Sequence, residues 1–494
     1  MCGIAGFAQG GAAELLSPMV EMLRHRGPDG SGLWNNEHHT LGHTRLSIID
    51  IEGGRQPMPD SRGRLHITYN GEVYNYRQLR AVIGESCFRT RSDTEAILGL
   101  AAGGGEPASW VGRLDGMFAF AIVDGPDLVL ARDPLGIKPL YVGKMGHATA
   151  FASELKVLAG KASDITEFPA GHVFHSRYGM KRYYEVPRHQ HDVTDAGAAA
   201  AGIRERLEQA VRKRLMADVP VGVFLSGGLD SSLIAALAKL HKDPLDTFSV
   251  GTEDSPDRLL AMQVAATLGT RHHERKYSIM EALAALPEVI YHLESFDCAL
   301  VRSAIPNYFL AKLAGEHVKV ALSGEGADEL FAGYEYLRDI HPSELNEELL
   351  FITRALHNTN LQRCDRMSMA HGLEVRVPFL DVQMVDWAFR IPVELKQHGP
   401  QRIEKWILRR MAQDLLPHEV AWRKKIKFAT GAGLGDKLAA WANHEISDEE
   451  FARGRQIADG VTLRSKEELL YYRVFKQMYP QESLVGLVGR SRSV

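Results

Sequence analysis

Apolar and polar positions follow two regimes along the chain. Between residues 115 and 185, short apolar runs at 117–124, 128–132, 140–144 and 148–153 are separated by Gly, Pro and Asp, the pattern of paired strands. Residues 65–69 (Leu-His-Ile-Thr-Tyr) alternate in the same way. They predict one more strand and leave Asn70-Gly71 open as a hairpin turn. Beyond residue 200 the period changes: Ile203, Leu207, Val211 and Leu215 recur every fourth position with charges between them, which predicts an amphipathic helix. Strand patterns at 219–225, 246–251, 272–277 and 318–322 then alternate with helical ones at 231–240, 259–268 and 305–316. Such alternation implies a parallel sheet with covering helices, whose ligands sit beyond the carboxyl ends of the strands. The stretch 187–201 is polar and then rich in small residues, a linker signal that places a boundary near residue 190. After Tyr479 a polar, basic tail runs to residue 494 and is expected to be disordered.

Within the second regime, Ser226-Gly-Gly-Leu-Asp-Ser-Ser232 joins a strand end to a helix start. Two glycines allow close backbone approach, and serine hydroxyls with unpaired helix N–H groups can hold phosphate. An ordinary turn with a serine cap is the plain alternative. No Gly-Lys-Ser/Thr closes the loop and no third glycine follows at dinucleotide spacing. The loop resembles instead that of the ATP pyrophosphatase (PP-loop) family, in which a carboxylate attacks the α-phosphorus of ATP and acquires AMP.

Composition narrows the partners. The 494 residues suggest two or three domains, and 45% hydrophobic with 24% charged residues is ordinary for a soluble globular chain. A net charge of -4 gives no electrostatic reason to expect nucleic acid or an anionic membrane. No run approaches the about 18 apolar residues of a membrane span, and the first residues lack a signal-peptide pattern; a cytoplasmic location is expected. Cys2, Cys87, Cys298 and Cys364 are far apart, which suits a reducing compartment better than disulfides or structural zinc. The adjacent pairs His38-His39 and His272-His273 lack metal-binding helical spacing and read as structural or surface residues.

Cys2 carries chemistry of its own. Removal of Met1 leaves a thiol and an α-amine on one residue, and the amine, with an unperturbed pKa of about 7.7 to 8.0, can take the thiol proton. A chance cysteine near a terminus would look the same in isolation. Five ordered blocks say otherwise: Cys2-Gly-Ile-Ala-Gly-Phe7, Arg24-His-Arg-Gly-Pro-Asp-Gly30, Gly42-His-Thr-Arg-Leu-Ser-Ile-Ile49, Tyr69-Asn-Gly-Glu-Val-Tyr-Asn75 and Arg91-Ser-Asp-Thr-Glu95. Together they resemble class II, N-terminal-nucleophile glutamine amidotransferases. That resemblance implies an αββα antiparallel sandwich over residues 1–190. Cys2 is then the nucleophile, with Asn70 and the Gly71 N–H at the oxyanion. Arg45, Leu46, Ser47, Ile48 and Ile49 line the glutamine site, Arg45 offering a fork to the α-carboxylate while Glu72 and Asp93 take the α-ammonium.

The second half carries another loop, Ser323-Gly-Glu-Gly-Ala-Asp-Glu-Leu-Phe-Ala-Gly-Tyr334, with three carboxylates. Acids beside a triphosphate call for a cation, and Mg²⁺ prefers such oxygen ligands; a helix start decorated with acids for its dipole is the competing reading. Residues 191–494 resemble the synthetase domain of glutamine-hydrolysing asparagine synthetases, a parallel-sheet α/β ATP pyrophosphatase fold. By that resemblance Leu225, Ser226, Gly227, Gly228, Asp230, Ser231, Val250, Ser323 and Gly324 contact ATP, and Asp230 and Asp328 hold Mg²⁺. Glu325 serves adenylation or proton transfer, and Arg302, Arg376 and Lys425 bind the acceptor acid. One departure stands out: Ala299-Leu300 replaces two threonines expected shortly before Arg302.

The resemblance spans nearly all of residues 2–480. It implies that glutamine, aspartate and ATP are the substrates and that aspartate is amidated through β-aspartyl-AMP, with a homodimer left open. A related amidotransferase for another carboxylic acid, an intramolecular amide-forming relative of the β-lactam synthetase kind and a non-catalytic sensor are the rival readings.

Overall fold

The computed structural model describes residues 2–8, 13–435 and 437–492. Two six-stranded antiparallel sheets occupy its first part. One runs in the order Ser163–Glu167, Tyr141–Met145, Ala148–Ala152, Gly3–Ala8, His39–Arg45, Gly30–Asn35. The other runs Gly179–Arg182, His172–His175, Asp127–Arg132, Gly116–Asp124, Leu65–Val73, Met58–Pro59. Ile4, Leu41 and Phe151 from the first sheet meet Ala119, Ala121 and Leu130 from the second in a buried layer. Helix Ala13–Glu21 packs on the first sheet, and Asp93–Ala102 with its neighbour Tyr76–Ile83 packs on the second. The four layers are the expected αββα sandwich. Because Gly116–Asp124 is covered on both faces, its sequence reads as a continuous apolar run rather than an alternation.

A five-stranded parallel sheet follows, ordered Arg271–Lys276, Asp246–Gly251, Val221–Phe224, Val320–Leu322, Glu374–Arg376. Val221–Phe224 and Val320–Leu322 are neighbours, so the loops leaving their carboxyl ends lie side by side.

One open alternative is excluded and two expectations are corrected. Asn70-Gly71 is no hairpin turn: the strand Leu65–Val73 runs through it, with Asn70 opposite Ala119 and Gly71 opposite Phe118. A Cβ at Gly71 would lie 2.1 Å from the Met117 carbonyl oxygen, so the glycine serves close approach. The small-residue half of the linker is helical. Helix Ala196–Arg214 starts under Asp195, whose carboxylate accepts from Ala198 N–H at 2.7 Å, and an alanine run with such a cap is a strong helix start. The basic tail is ordered through residue 492: Glu482–Leu487 forms a 3-10 turn, Ser491 N–H donates to Asp297 at 3.0 Å, and Arg490 pairs with Glu468 at 2.8 Å. Asp297 and Glu468 are buried acids, and cationic side chains on the tail compensate them.

Charge also joins the two halves. Arg26, fully enclosed, binds Glu154 at 2.6 Å and Asp365 at 2.8 Å. Lys156 reaches Glu154 and Glu294, and Arg366 reaches Glu294. Burial works against the Asp365 carboxylate, yet Arg26 and Lys138 hold it down at about 2. A depressed carboxylate stabilises the fold above its unfolded value, and that contribution is lost as pH falls toward 2. Asp365→Asn is therefore expected to cost about 3–5 kcal/mol at neutral pH by breaking the buried pairs with Arg26 and Lys138 and leaving Glu154 as the only acid on Arg26, with a smaller difference from the parent in acid. Urea unfolding at two pH values measures both.

Candidate active sites

The first site gathers at the start of strand Gly3–Ala8. Cys2 is buried; its N–H donates to Asn70 Oδ1 at 3.0 Å and its carbonyl accepts from Arg26 Nε at 3.0 Å. Burial pushes the Cys2 thiol up, opposed by the Leu46 N–H and by Arg45. Asn70 is fully buried, and its Nδ2 has no hydrogen-bond partner. A buried, unpaired amide donor is costly unless something fills it. Glu72, on the same strand, leaves Oε2 buried and unpaired.

Asp93 sits at the first turn of Asp93–Ala102, a helix capped by Ser92. Its carboxylate accepts from Tyr69 Oη at 2.9 Å and Val73 N–H at 3.0 Å, while burial raises its pKa. Arg45 ends strand His39–Arg45 and donates to the carbonyls of Ile51 at 2.6 Å and Asp50 at 2.7 Å. Leu46, Ser47, Ile48 and Ile49 follow it, all buried. Ser47 N–H donates to Asp29 at 2.7 Å.

The second site is a cavity of about 510 Å³ beyond the parallel sheet. Ser226, Gly228, Asp230, Ser231, Ser323, Gly324, Glu325, Asp328, Arg302 and Lys425 all line it. At its floor, Ser226 N–H donates to Ser231 Oγ at 3.1 Å and Gly228 N–H to Ser226 Oγ at 3.3 Å. Helix Leu229–Lys239 starts from Gly228 without a side-chain cap, so the N–H groups of its first turn can serve an anion. Gly227 turns the loop at φ 70°, where a Cβ would meet Ala261 N at 2.7 Å.

Asp230 and Asp328 come from the two neighbouring loops and are bridged by Lys405, whose Nζ lies 2.5 Å from Asp230 Oδ2 and 2.6 Å from Asp328 Oδ1. Lys425 adds a contact to Asp328 Oδ2 at 2.6 Å. Against the cost of burial, the two lysines hold Asp328 below the usual carboxylate range. Glu325 pairs with Arg363 at 2.5 Å. Glu329 bonds Tyr334 Oη and accepts from Asn360 Nδ2 at 3.3 Å; burial and Asp328 push it up to about 7.

Not every expected residue reaches the cavity. Leu225 and Val250 are buried strand-end residues outside its lining. Gly227 shapes the loop without facing the space. Arg376 is a correction: it is fully enclosed and away from the cavity, with its guanidinium on Glu374, Glu72 and the carbonyls of Arg214 and Met216. Its Nε and Nη1 are taken by protein acceptors, its Nη2 faces Glu72, and the whole side chain is enclosed away from the space an acceptor acid would enter. Arg302 does line the cavity, its Nε donating to both Glu467 carboxylate oxygens at 2.7 and 2.9 Å and its Nη2 to Glu467 Oε2. Of the two positions that depart from the family pattern, Ala299 faces the cavity and Leu300 is buried.

Lys405, Arg363, Tyr334, Asn360 and the tail residues Arg490, Ser491 and Arg492 also line it, and sequence reasoning missed all of them. Lys405 was detectable only as one basic residue before a helix start, since its left-handed φ of 56° leaves no mark on composition. The four cysteines are free, as expected. His39, His272 and His273 make local hydrogen bonds to Pro126, to Thr247 and Ser249, and to Asp246.

Among the described residues no helix is long and apolar enough to cross a membrane. Nor, among the described residues, is there a cluster of three or more His, Cys, Asp and Glu side chains that could hold a metal by itself. Two carboxylates do meet, and Asp230 Oδ1 is buried without a hydrogen-bond partner. That donor set fits Mg²⁺, which keeps few protein ligands and takes phosphate oxygens for the rest.

A sandwich with a buried cysteine and an unpaired amide donor, joined to a parallel sheet with a serine-glycine loop and paired acids, defines a glutamine amidotransferase coupled to an ATP-dependent synthetase. Residues 1–192 match the family described as glutamine amidotransferase domain, and residues 202–344 and 340–492 match that described as asparagine synthase. The chain is 38% identical to asparagine synthetase (glutamine-hydrolyzing) 2 of Arabidopsis thaliana, over 96% of this chain and 86% of that one. It is also 38% identical to asparagine synthetase B (glutamine-hydrolyzing) of Escherichia coli K12, over 100% of this chain and 94% of that one. The chain belongs to the glutamine-hydrolysing asparagine synthetase family, a ligase family that makes asparagine with glutamine as nitrogen donor and ATP as co-substrate.

Proposed function

We propose that the two halves, residues 1–190 and 191–494, divide the reaction as follows. With Met1 removed, the nitrogen of Cys2 that now touches Asn70 is an α-amine, able to accept the thiol proton. The thiolate adds to the glutamine side-chain carbonyl, Asn70 Nδ2 and the Gly71 N–H stabilise the oxyanion, and collapse releases ammonia and leaves a thioester for water to hydrolyse. Arg45 with the 46–49 segment orients the α-carboxylate, and Glu72 with Asp93 takes the α-ammonium. The unpaired oxygen of Glu72 and unpaired nitrogen of Asn70 support these roles.

In the cavity, the β-carboxylate of aspartate attacks the α-phosphorus of ATP, and pyrophosphate leaves on the Ser226–Ser232 loop. Ammonia from the first site then attacks β-aspartyl-AMP, a proton passes to Glu325, and AMP departs. A bound Mg²⁺ would neutralise charge on the phosphates, held by Asp230 and Asp328. Lys425 faces the same charges and stabilises the crowded anionic state. Ammonia reaches the cavity internally, because protonation in bulk water would remove its nucleophilicity.

The observation that carries this reading is the meeting of Asp230, Asp328, Lys405 and Lys425 beside the serine-glycine loop in one cavity. Purified protein with aspartate, Mg-ATP and either glutamine or ammonium is expected to release asparagine, AMP and pyrophosphate in equal amounts. A second reading, amidation of a different acid, is favoured by Ala299 in the cavity lining. It gains if other acids drive pyrophosphate release while aspartate yields no asparagine from either nitrogen source.

A further inference from the structure

The synthetase half sends one side chain into the glutamine site. Arg376 lies at the end of Glu374–Arg376, the edge strand of the parallel sheet, and none of its surface is exposed. Its Nε donates to Glu374 Oε1 at 2.6 Å, and its Nη1 to the carbonyls of Arg214 at 2.7 Å and Met216 at 2.6 Å. Its Nη2 lies 3.3 Å from Glu72 Oε1. The backbone is tied as well, since the Arg376 carbonyl accepts from Ser323 N–H at 2.9 Å. Three hydrogen bonds thus fix the guanidinium and a fourth fixes its backbone, while the one remaining nitrogen, which makes no hydrogen bond of its own, faces a carboxylate of the sandwich as an ion pair.

Glu72 needs such a partner. It is buried one residue from Gly71 and one strand position from Val73, which binds Asp93. Burial and the nearby Glu374 carboxylate push Glu72 well above the ordinary range, and Arg376 opposes them. Its other oxygen, Oε2, is buried and unpaired. One oxygen is held by the synthetase half and the other is left for a ligand.

We propose that Arg376 is a positioning residue of the glutamine site, holding and aiming the Glu72 carboxylate so that its free oxygen can receive the substrate α-ammonium. This rests on the assignment of Glu72 given above. A planar fork suits the task because one guanidinium can hydrogen-bond Glu374 and two carbonyls at fixed angles and so hold its last nitrogen beside Glu72, which a lysine cannot do. The edge strand of the synthetase sheet then forms the back wall of the amidotransferase pocket, and glutamine affinity depends on a residue outside the amidotransferase half.

The test is steady-state kinetics of the full-length enzyme with Arg376→Gln, Arg376→Lys, Glu72→Gln and the Glu72→Gln/Arg376→Gln double variant. Glutamate release from glutamine and ammonia-dependent asparagine synthesis are followed separately. Arg376→Gln is expected to raise the KM for glutamine at least about tenfold, the scale of one lost charge-assisted contact, with kcat for glutamine hydrolysis within threefold and the KM for aspartate unmoved. The double variant is expected to match Glu72→Gln alone, because both act on one carboxylate, and Arg376→Lys should recover part of the affinity. If Glu72→Gln raises the glutamine KM and neither Arg376 variant does, the positioning role falls while the Glu72 assignment stands. If Glu72→Gln leaves the KM unchanged, the assignment itself falls. A rise in the aspartate KM with glutamine kinetics unchanged would return Arg376 to the acceptor side and overturn the proposal. Should Arg376→Gln not fold, Arg376→Lys carries the same comparison, because a KM for glutamine equal to the parent's would overturn it.

Discussion

Cys2→Ala is expected to abolish asparagine synthesis from glutamine, by on the order of 1,000-fold or more, and to leave synthesis from ammonium within about twofold. The separation follows from where the residue sits. Cys2 belongs to the antiparallel sandwich and touches Asn70 and Arg26, whereas the ATP cavity is lined by residues beginning at Phe224. Alanine fits the space, removes only sulfur and leaves the N–H to Asn70 in place, so the fold has little reason to change. Parallel assays of asparagine with each nitrogen source, together with glutamate release, measure the effect. Equal loss of both syntheses would mean that the two sites are not chemically separate.

Legibility in the sequence followed the physics of each feature. The strands at 246–251 and 148–152 were readable because apolar runs bounded by turn residues leave a local signal. The two loops at 226 and 323 were readable because parallel alternation puts strand ends on one edge, and neighbouring central strands place them together. At Asn70-Gly71 a hairpin turn stays open in the sequence as an alternative, because a glycine required by the Met117 carbonyl looks like a glycine required by a turn. The tail misled because Arg490 looks solvated until the buried acids Asp297 and Glu468 that it pairs with are known.

Lys405 and Arg363 were illegible for a similar reason. Their meaning lies in acids 175 and 38 residues away in the chain, and no periodicity encodes such a pairing. Arg376 is expected at the acceptor acid but is enclosed away from the cavity, since a motif names a residue type and leaves the direction of its side chain open.

The residue that sequence reasoning passed over at the cavity supplies the other large effect. Lys405→Met is expected to lower asparagine synthesis by about 100-fold with either nitrogen source, the scale seen when one preorganised charged donor is removed. Glutamine hydrolysis should stay within about threefold. Lys405 is nearly fully enclosed, and its Nζ is the shared counter-charge of Asp230 and Asp328. Methionine keeps the stem, which packs where a Cβ on Gly333 would come within 2.1 Å of Lys405 Cε and 2.0 Å of Asp328 Oδ1. Only the charge is lost, and two carboxylates from adjoining loops then repel across the position where phosphate must bind.

The pH dependence has a defined sign. Asp328 is held below its ordinary range by Lys405 and Lys425, so its contribution to stability is present above the unfolded carboxylate value of about 3.9 and fades as pH falls through the folded one. Without Lys405 the folded value rises, and the acid limb of the unfolding curve moves to higher pH. Pyrophosphate release with aspartate and Mg-ATP, glutamate release without ATP, and acid unfolding followed by circular dichroism measure the three effects. Unchanged pyrophosphate release in a folded Lys405→Met enzyme would show that the pairing of the two loops is structural and that Lys425 alone carries the charge at the phosphates.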